Sequence, residues 1–201
     1  MKKPSLTIDT NCFVSLVCPL DDKTPPDELN ALKLIKQWGI DSLIDIFISE
    51  KSRNEALQIL ENANFKEPTN QEIIEKWSKP LNILKNYDSI TGIFIVGRSR
   101  IGSNEAIAST NDVTIFDNMS QLLYGKSPND LKNDVFYDLA ILFEHISNKI
   151  DIFVTRDKEH ILSKKAYLKQ KCNILVFNPV DAVKYLQPKL ENNDIGTTEK
   201  R

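Results

Sequence analysis

The chain has 201 residues, 41% hydrophobic and 27% charged, and 26 basic against 28 acidic side chains leave a net charge of −2. This balance suits one soluble, globular domain with a sizeable core, and it excludes a globally basic polyanion binder. No apolar run approaches the ~18 residues of a membrane span, and Met1-Lys2-Lys3-Pro4 opens no long apolar leader, so the cytoplasm is the expected location.

The cysteines, Cys12, Cys18 and Cys172, are odd in number and lack paired spacing, which predicts reduced core residues. A nucleic-acid partner needs only a local basic patch; Arg98 with Arg100, and Lys164, Lys165, Lys169 and Lys171, are the candidates. Charge patterning alone assigns both to solvated faces.

Ser5 to Asn11 reads as a short buried strand ending on a carboxylate, Asp9, with Pro4 blocking a helix upstream. Asn11 to Cys18 predicts a short helix closed by Pro19. Thr24-Pro25-Pro26-Asp27 predicts a helix start capped by Thr24, and Leu29, Leu32, Ile35 and Trp38 carry its period to a stop at Gly39. Leu43 to Ile48 predicts a second strand. Ser49 is read as the cap of a helix to about Glu61 that carries Glu50 and Glu55. Ile93 to Val96 is strand-like, and Val113 to Tyr124 is weakly helical. The stretch from about 63 to 130 reads as a long insertion without a motif.

Asn133 to Asn148 predicts the strongest helix, with Val135, Leu139, Leu142 and Ile146 on one stripe and Asp134 and Asp138 beside it. Ile150 to Thr155 predicts a strand turning at Arg156-Asp157-Lys158. A helix to about Gln170 and a strand over Asn173 to Phe177 follow. Asn178-Pro179-Val180-Asp181 supplies cap, proline and acid for a last helix, and 188–201 reads as a flexible polar tail. His145 and His160 stand in no ligand spacing and read as surface or partly buried residues. Strands alternating with helices predict an α/β fold, a three-layer α/β/α sandwich around a mostly parallel sheet, spanning residues 1–187.

In such a sheet the carboxyl ends of strands and the starts of the following helices share one edge. Asp9, Glu55, Asp138 and Asp157 therefore converge there. Clustered carboxylates repel, and a hard divalent cation, Mg²⁺ or Mn²⁺, relieves that repulsion while keeping waters for phosphodiester chemistry. Each acid also has a plainer reading: Asp9 caps the next helix, Asp157 makes an Asx turn, Asp138 faces solvent near Lys132, and Glu55 lies on the surface.

Ile8-Asp9-Thr10-Asn11, Ser49 with Glu55 six residues on, Asp138, and Phe153-Val154-Thr155-Arg156-Asp157 together resemble the PIN domain over roughly residues 5 to 180. The resemblance implies a Mg²⁺- or Mn²⁺-dependent endoribonuclease that leaves a 5′-phosphate and a 3′-hydroxyl. Asp9, Glu55, Asp138 and Asp157 would be its metal-binding and catalytic acids, and Asn11 and Thr155 supporting groups. Asp134 competes with Asp138, and Glu50 with Glu55; the spacing to Asp157 favours Asp138. The resemblance also carries the expectation of an RNA substrate, a toxin role with a small antitoxin-like partner, and a homodimer. The alternative is a catalytically silent PIN-like scaffold that binds RNA or protein. An aspartyl phosphotransfer domain is disfavoured, because Asp9-Thr10-Asn11 lacks its second acid.

Overall fold

The computed structural model describes residues 3–17, 24–49, 52, 88–90, 93–94, 106–107 and 110–198. Glu50, Glu55, Cys18, Arg98 and Arg100 lie outside the described residues.

Strand β1 (Ser5–Ile8) is followed by helix α1 (Thr10–Val17), α2 (Pro26–Ile40), β2 (Asp45–Ser49) and β3 (Asp88–Ile90). Two short strands, β4 (Ile93–Phe94) and β5 (Ala106–Ile107), pair in parallel as a separate sheet. Helices α3 (Thr110–Tyr124) and α4 (Asn133–Ser147), strand β6 (Ile152–Val154), helix α5 (Lys165–Cys172), strand β7 (Leu175–Phe177) and helix α6 (Pro179–Thr198) complete the order.

The main sheet is entirely parallel, in the order β3-β2-β1-β6-β7. Its strands are short apolar runs, as expected where both faces are covered. Leu6, Ile8, Ile46, Ile48, Ile152 and Val154 pack beneath α1, α2 and α6, contacting Phe13, Leu32, Trp38 and Leu186 among others. Phe153 and Val176 face the other way, onto α3, α4 and α5. The fold is the expected α/β/α sandwich, and side-chain alternation along β6 assigns successive residues to the two cores.

Several local expectations are corrected. Gly39 does not stop α2, which runs on through Ile40. A Cβ at Gly39 would lie 2.5 Å from Ile46 Cδ1, so the missing side chain serves the close approach of α2 to β2. Pro25 rather than Thr24 occupies the cap of α2, and the Thr24 hydroxyl is engaged elsewhere. Ser49 ends β2. The helix expected over Val113 to Tyr124, within the stretch read as an insertion without a motif, is present as α3, and its Phe116, Met119 and Leu123 are core residues. Phe116 makes edge-to-face contacts with Phe136 and Phe143, at 5.7 and 5.2 Å between ring centres, and these fix α3 against α4.

The tail also begins later than expected, because α6 continues through Pro188 to Thr198. Proline removes one helical hydrogen bond, but Ala182, Leu186 and Leu190 recur every four residues and all reach the core. The start of α6 follows expectation: the Asp181 N–H donates to Asn178 Oδ1 at 2.7 Å, and Asn178 Nδ2 donates to Asp181 Oδ2 at 3.0 Å. Among the described residues, no helix is long and apolar enough to cross a membrane.

Candidate active site

From the central strand β1 the chain builds outward to β2 and β3 on one side, and later to β6 and β7 on the other. The carboxyl ends of β1 and β6 therefore flank the topological switch point, where a crevice opens in parallel α/β sheets. Asp9 follows β1, and Thr155-Arg156-Asp157 follows β6.

Asp9 is 3% exposed. Its N–H extends the ladder to Val154 O at 3.0 Å, and its carbonyl accepts from the amides of Cys12 and Phe13, which opens α1. The carboxylate is held on both sides: Oδ1 accepts from the Thr10 N–H at 2.8 Å, and Oδ2 accepts from the Thr155 hydroxyl at 2.6 Å. Asp9 thus performs the plain capping task while keeping a fixed carboxylate at the sheet edge. Each oxygen retains further acceptor capacity.

The Thr155 hydroxyl, donating to Asp9, also accepts from the Asp157 N–H at 3.0 Å. Thr155 N–H donates to Phe177 O at 3.0 Å, so the residue is anchored between β1 and β7. Asp157 Oδ1 accepts from the amides of Glu159 and His160 at 3.0 and 2.9 Å, the Asx turn expected of it. His160 Nδ1 lies 3.5 Å from Asp157 Oδ2. Asn11, the other supporting residue, accepts the Arg156 N–H on Oδ1 at 3.1 Å.

The Arg156 side chain is engaged by α1, α2 and the turn before α2. Its Nε pairs with Glu28 at 2.9 Å, and one terminal nitrogen donates to Ser15 Oγ and Thr24 Oγ1 at 2.8 and 3.0 Å. This buried knot ties the turn carrying Asp157 to α1 and α2. On the far side of β1, the Thr10 hydroxyl donates to Ser52 Oγ at 2.8 Å.

Asp134 and Asp138 both lie in the first half of α4, where Asp134 is exposed and Asp138 half-buried. What they share with the strand-end acids is an electrostatic influence on Tyr124, which the sequence reading passed over. Tyr124 ends α3, and Gly125 turns the chain there with φ 66°, its N–H closing the helix onto Gln121 O at 2.9 Å. The Tyr124 ring lies 5.1 Å from the His160 ring, and its hydroxyl is buried without a hydrogen-bond partner among the described residues. Burial first, then the charges of Asp138, Asp157, Asp9 and Asp134, push this phenol well above its ordinary pKa. Three of the four expected acids, and the competitor Asp134, thus bear on one hydroxyl. Asp138 outweighs Asp134 there. The signal for Tyr124 was faint: an aromatic at the end of a weakly periodic helix just before a glycine.

Burial, followed by the Asp9 carboxylate, pushes the Cys12 thiol up, so Cys12 is a protonated core residue and no nucleophile. Cys12 and Cys172 are both unbridged. His145 corrects another expectation: it is fully buried under the sheet, its Nδ1 2.9 Å from Thr7 Oγ1 and its ring edge-on to Phe153. Among the described residues, no three carboxylate, imidazole or thiol groups are gathered tightly enough to hold a metal ion by themselves. Comparison of the chain with protein-family models and with curated proteins gives no match.

Proposed function

We propose that this protein is a Mg²⁺- or Mn²⁺-dependent endoribonuclease acting through Asp9, Asp138 and Asp157, with Glu55 as the fourth acid. The observation that carries the reading is the shared Thr155 hydroxyl. It links Asp9 directly, and Asp157 through its amide, across the seam where a parallel sheet opens its ligand crevice.

The donor chemistry fits a hard cation. Asp9, Asp138 and Asp157 offer oxygen ligands only, and their charges act jointly on the Tyr124 hydroxyl, a buried donor with no acceptor of its own among the described residues. Together with Glu55, which lies outside the described residues, these acids would hold the ion, which when bound would supply charge for the phosphate oxygens and activate the attacking water. Thr155 and the Thr10 amide fix the Asp9 carboxylate, which removes reorganisation from the site. Arg156 fixes the turn that carries Asp157 through Glu28, Ser15 and Thr24. Tyr124 keeps its proton in this anionic surround, so it acts as a donor and not as a base. The role in a toxin–antitoxin pair, a small antitoxin-like partner and a homodimer belong to the same proposal and rest on the resemblance.

The test is hydrolysis of end-labelled structured and unstructured RNAs with Mg²⁺, Mn²⁺ or chelator, with Asp9→Asn and Asp138→Asn proteins alongside. Metal-dependent cleavage lost in both variants is expected. Cleavage that survives both substitutions would sink the assignment. RNA binding that is indifferent to metal and to both substitutions, without cleavage, would move the protein to the scaffold reading.

A further inference from the structure

From Ile161 to Cys172 the chain contains no acidic residue, while Lys164, Lys165, Lys169 and Lys171 all fall within it. In a protein of net charge −2 this is a local reversal of sign. All four lysines are exposed, and none makes an ion pair with another described residue.

The stretch begins at the candidate site. The Leu162 N–H donates to Asp157 O at 2.9 Å, and a single 3₁₀ turn, Leu162–Lys164, leads into α5. From there α5 crosses back over the sheet between β6 and β7, away from the carboxyl edge. Helical spacing gives it a defined cross-section. Leu168 is buried beneath; Lys165 and Lys169, four apart, line one flank; Tyr167 and Lys171, also four apart, line the other. Between the flanks, the outermost positions are the uncharged Ala166 and Gln170. Tyr167 is 43% exposed, with the Lys171 ammonium 6.0 Å from its ring centre. An exposed tyrosine among unpaired lysines combines a stacking face with phosphate-binding charge.

We infer that α5, with Lys164 at its head, is the track on which single-stranded RNA is held as it runs from the acid edge. The backbone lies along the uncharged crest with cations on both flanks, and a base stacks on Tyr167. This inference rests on the ribonuclease reading for its choice of polyanion. The complementarity itself rests on the four lysines and the tyrosine.

The test uses full-length Asp9→Asn protein, to block cleavage, and a fluorescein-labelled single-stranded RNA of about 15 nucleotides, with anisotropy read across a salt series. Replacing Lys164, Lys165, Lys169 and Lys171 by Gln is expected to weaken binding at least about tenfold at low salt. The slope of log affinity on log salt should become shallower by about two to three, near 0.7 per lost phosphate contact. Tyr167→Ala is expected to cost about fivefold or more, with the salt slope unchanged. Neutralising Lys33, Lys36, Lys184 and Lys189, on the other layer, should change binding less than twofold; far-UV circular dichroism reports whether each variant is folded. Equal binding by the α5 quadruple variant and its parent overturns the track, as does retention on phosphatidylserine vesicles that RNA fails to displace. The two readings fail separately. Lysine-dependent binding by a protein that never cleaves keeps the track and removes the nuclease, whereas metal-dependent cleavage with binding indifferent to the lysines does the reverse.

Discussion

The Thr155 hydroxyl donates to the Asp9 carboxylate at 2.6 Å, joining residues 146 positions apart in the chain. The same oxygen receives the Asp157 amide, so one small side chain orders both strand-end acids. Thr155→Val keeps the shape and deletes the hydroxyl, leaving a buried carboxylate oxygen and an amide short of a partner. The expected loss is about 2–3 kcal/mol, read from urea unfolding. Thr155→Ser, which keeps the hydroxyl, should lose about 1 kcal/mol. Equal losses in the two variants would show that packing, not the hydrogen bond, is what matters at this position.

Arg156 and Glu28 form a largely buried pair, supported by Ser15 and Thr24. Arg156→Met strands the Glu28 carboxylate with only Lys158, whose ammonium stands 3.9 Å away and is mostly exposed. Stability should fall by about 3 kcal/mol, and Arg156→Met with Glu28→Leu should recover much of that. Guanidinium chloride would mask charge effects, so urea is the denaturant to use. A double variant no better than the single would refute the account.

Tyr124 carries a buried hydroxyl with no partner among the described residues. In metal-free protein, Tyr124→Phe should therefore raise stability by about 1 kcal/mol, the recovered cost of an unsatisfied polar group. Differential scanning calorimetry in chelator reads this directly. A fall in melting temperature would mean that the hydroxyl already has a partner.

His145 is held neutral by burial, its pKa pulled down to about 3, with Asp151 opposing only in part. The unfolded chain binds a proton near pH 6.5 that the folded chain refuses until about pH 3. The stability contributed is whole above pH 6.5 and falls as pH drops through that window, by up to about 1.4 kcal/mol per pH unit. His145→Gln should flatten the dependence by close to one proton between pH 6 and 4. Identical slopes for the two proteins would rule His145 out as the source.

The residues legible in advance were those whose local chemistry and topological position coincide. Asp9 and Asp157 sit at ends of apolar runs, and alternation of strands and helices then sends both to one edge. The cap of α6 at Asn178 and the stripe of α4 were legible because both are short-range patterns. Tyr124 was not, since its role comes from α3 packing on α4 through Phe116, and a weak period does not say what a helix packs against. His145 sat on a stripe already rich in apolar residues, and periodicity does not reveal that Thr7, from another strand, meets its ring nitrogen. Gly39 has two physical uses, ending a helix or letting one approach a strand, and only the proximity of Ile46 decides between them. Pro188 reads as a terminator until Leu190 is seen to reach the core beyond it.

The central place of β1 also governs when the protein acquires its working edge. One side of β1 is satisfied early by β2, but its other neighbour, β6, is made more than a hundred residues later. Until then the Asp9 carboxylate lacks Thr155, the seam is open, and the strand's free edge is an invitation to foreign pairing. Closing so long a loop is slow. A growing chain on the ribosome therefore carries Asp9 for most of its synthesis before Thr155 arrives to hold its carboxylate.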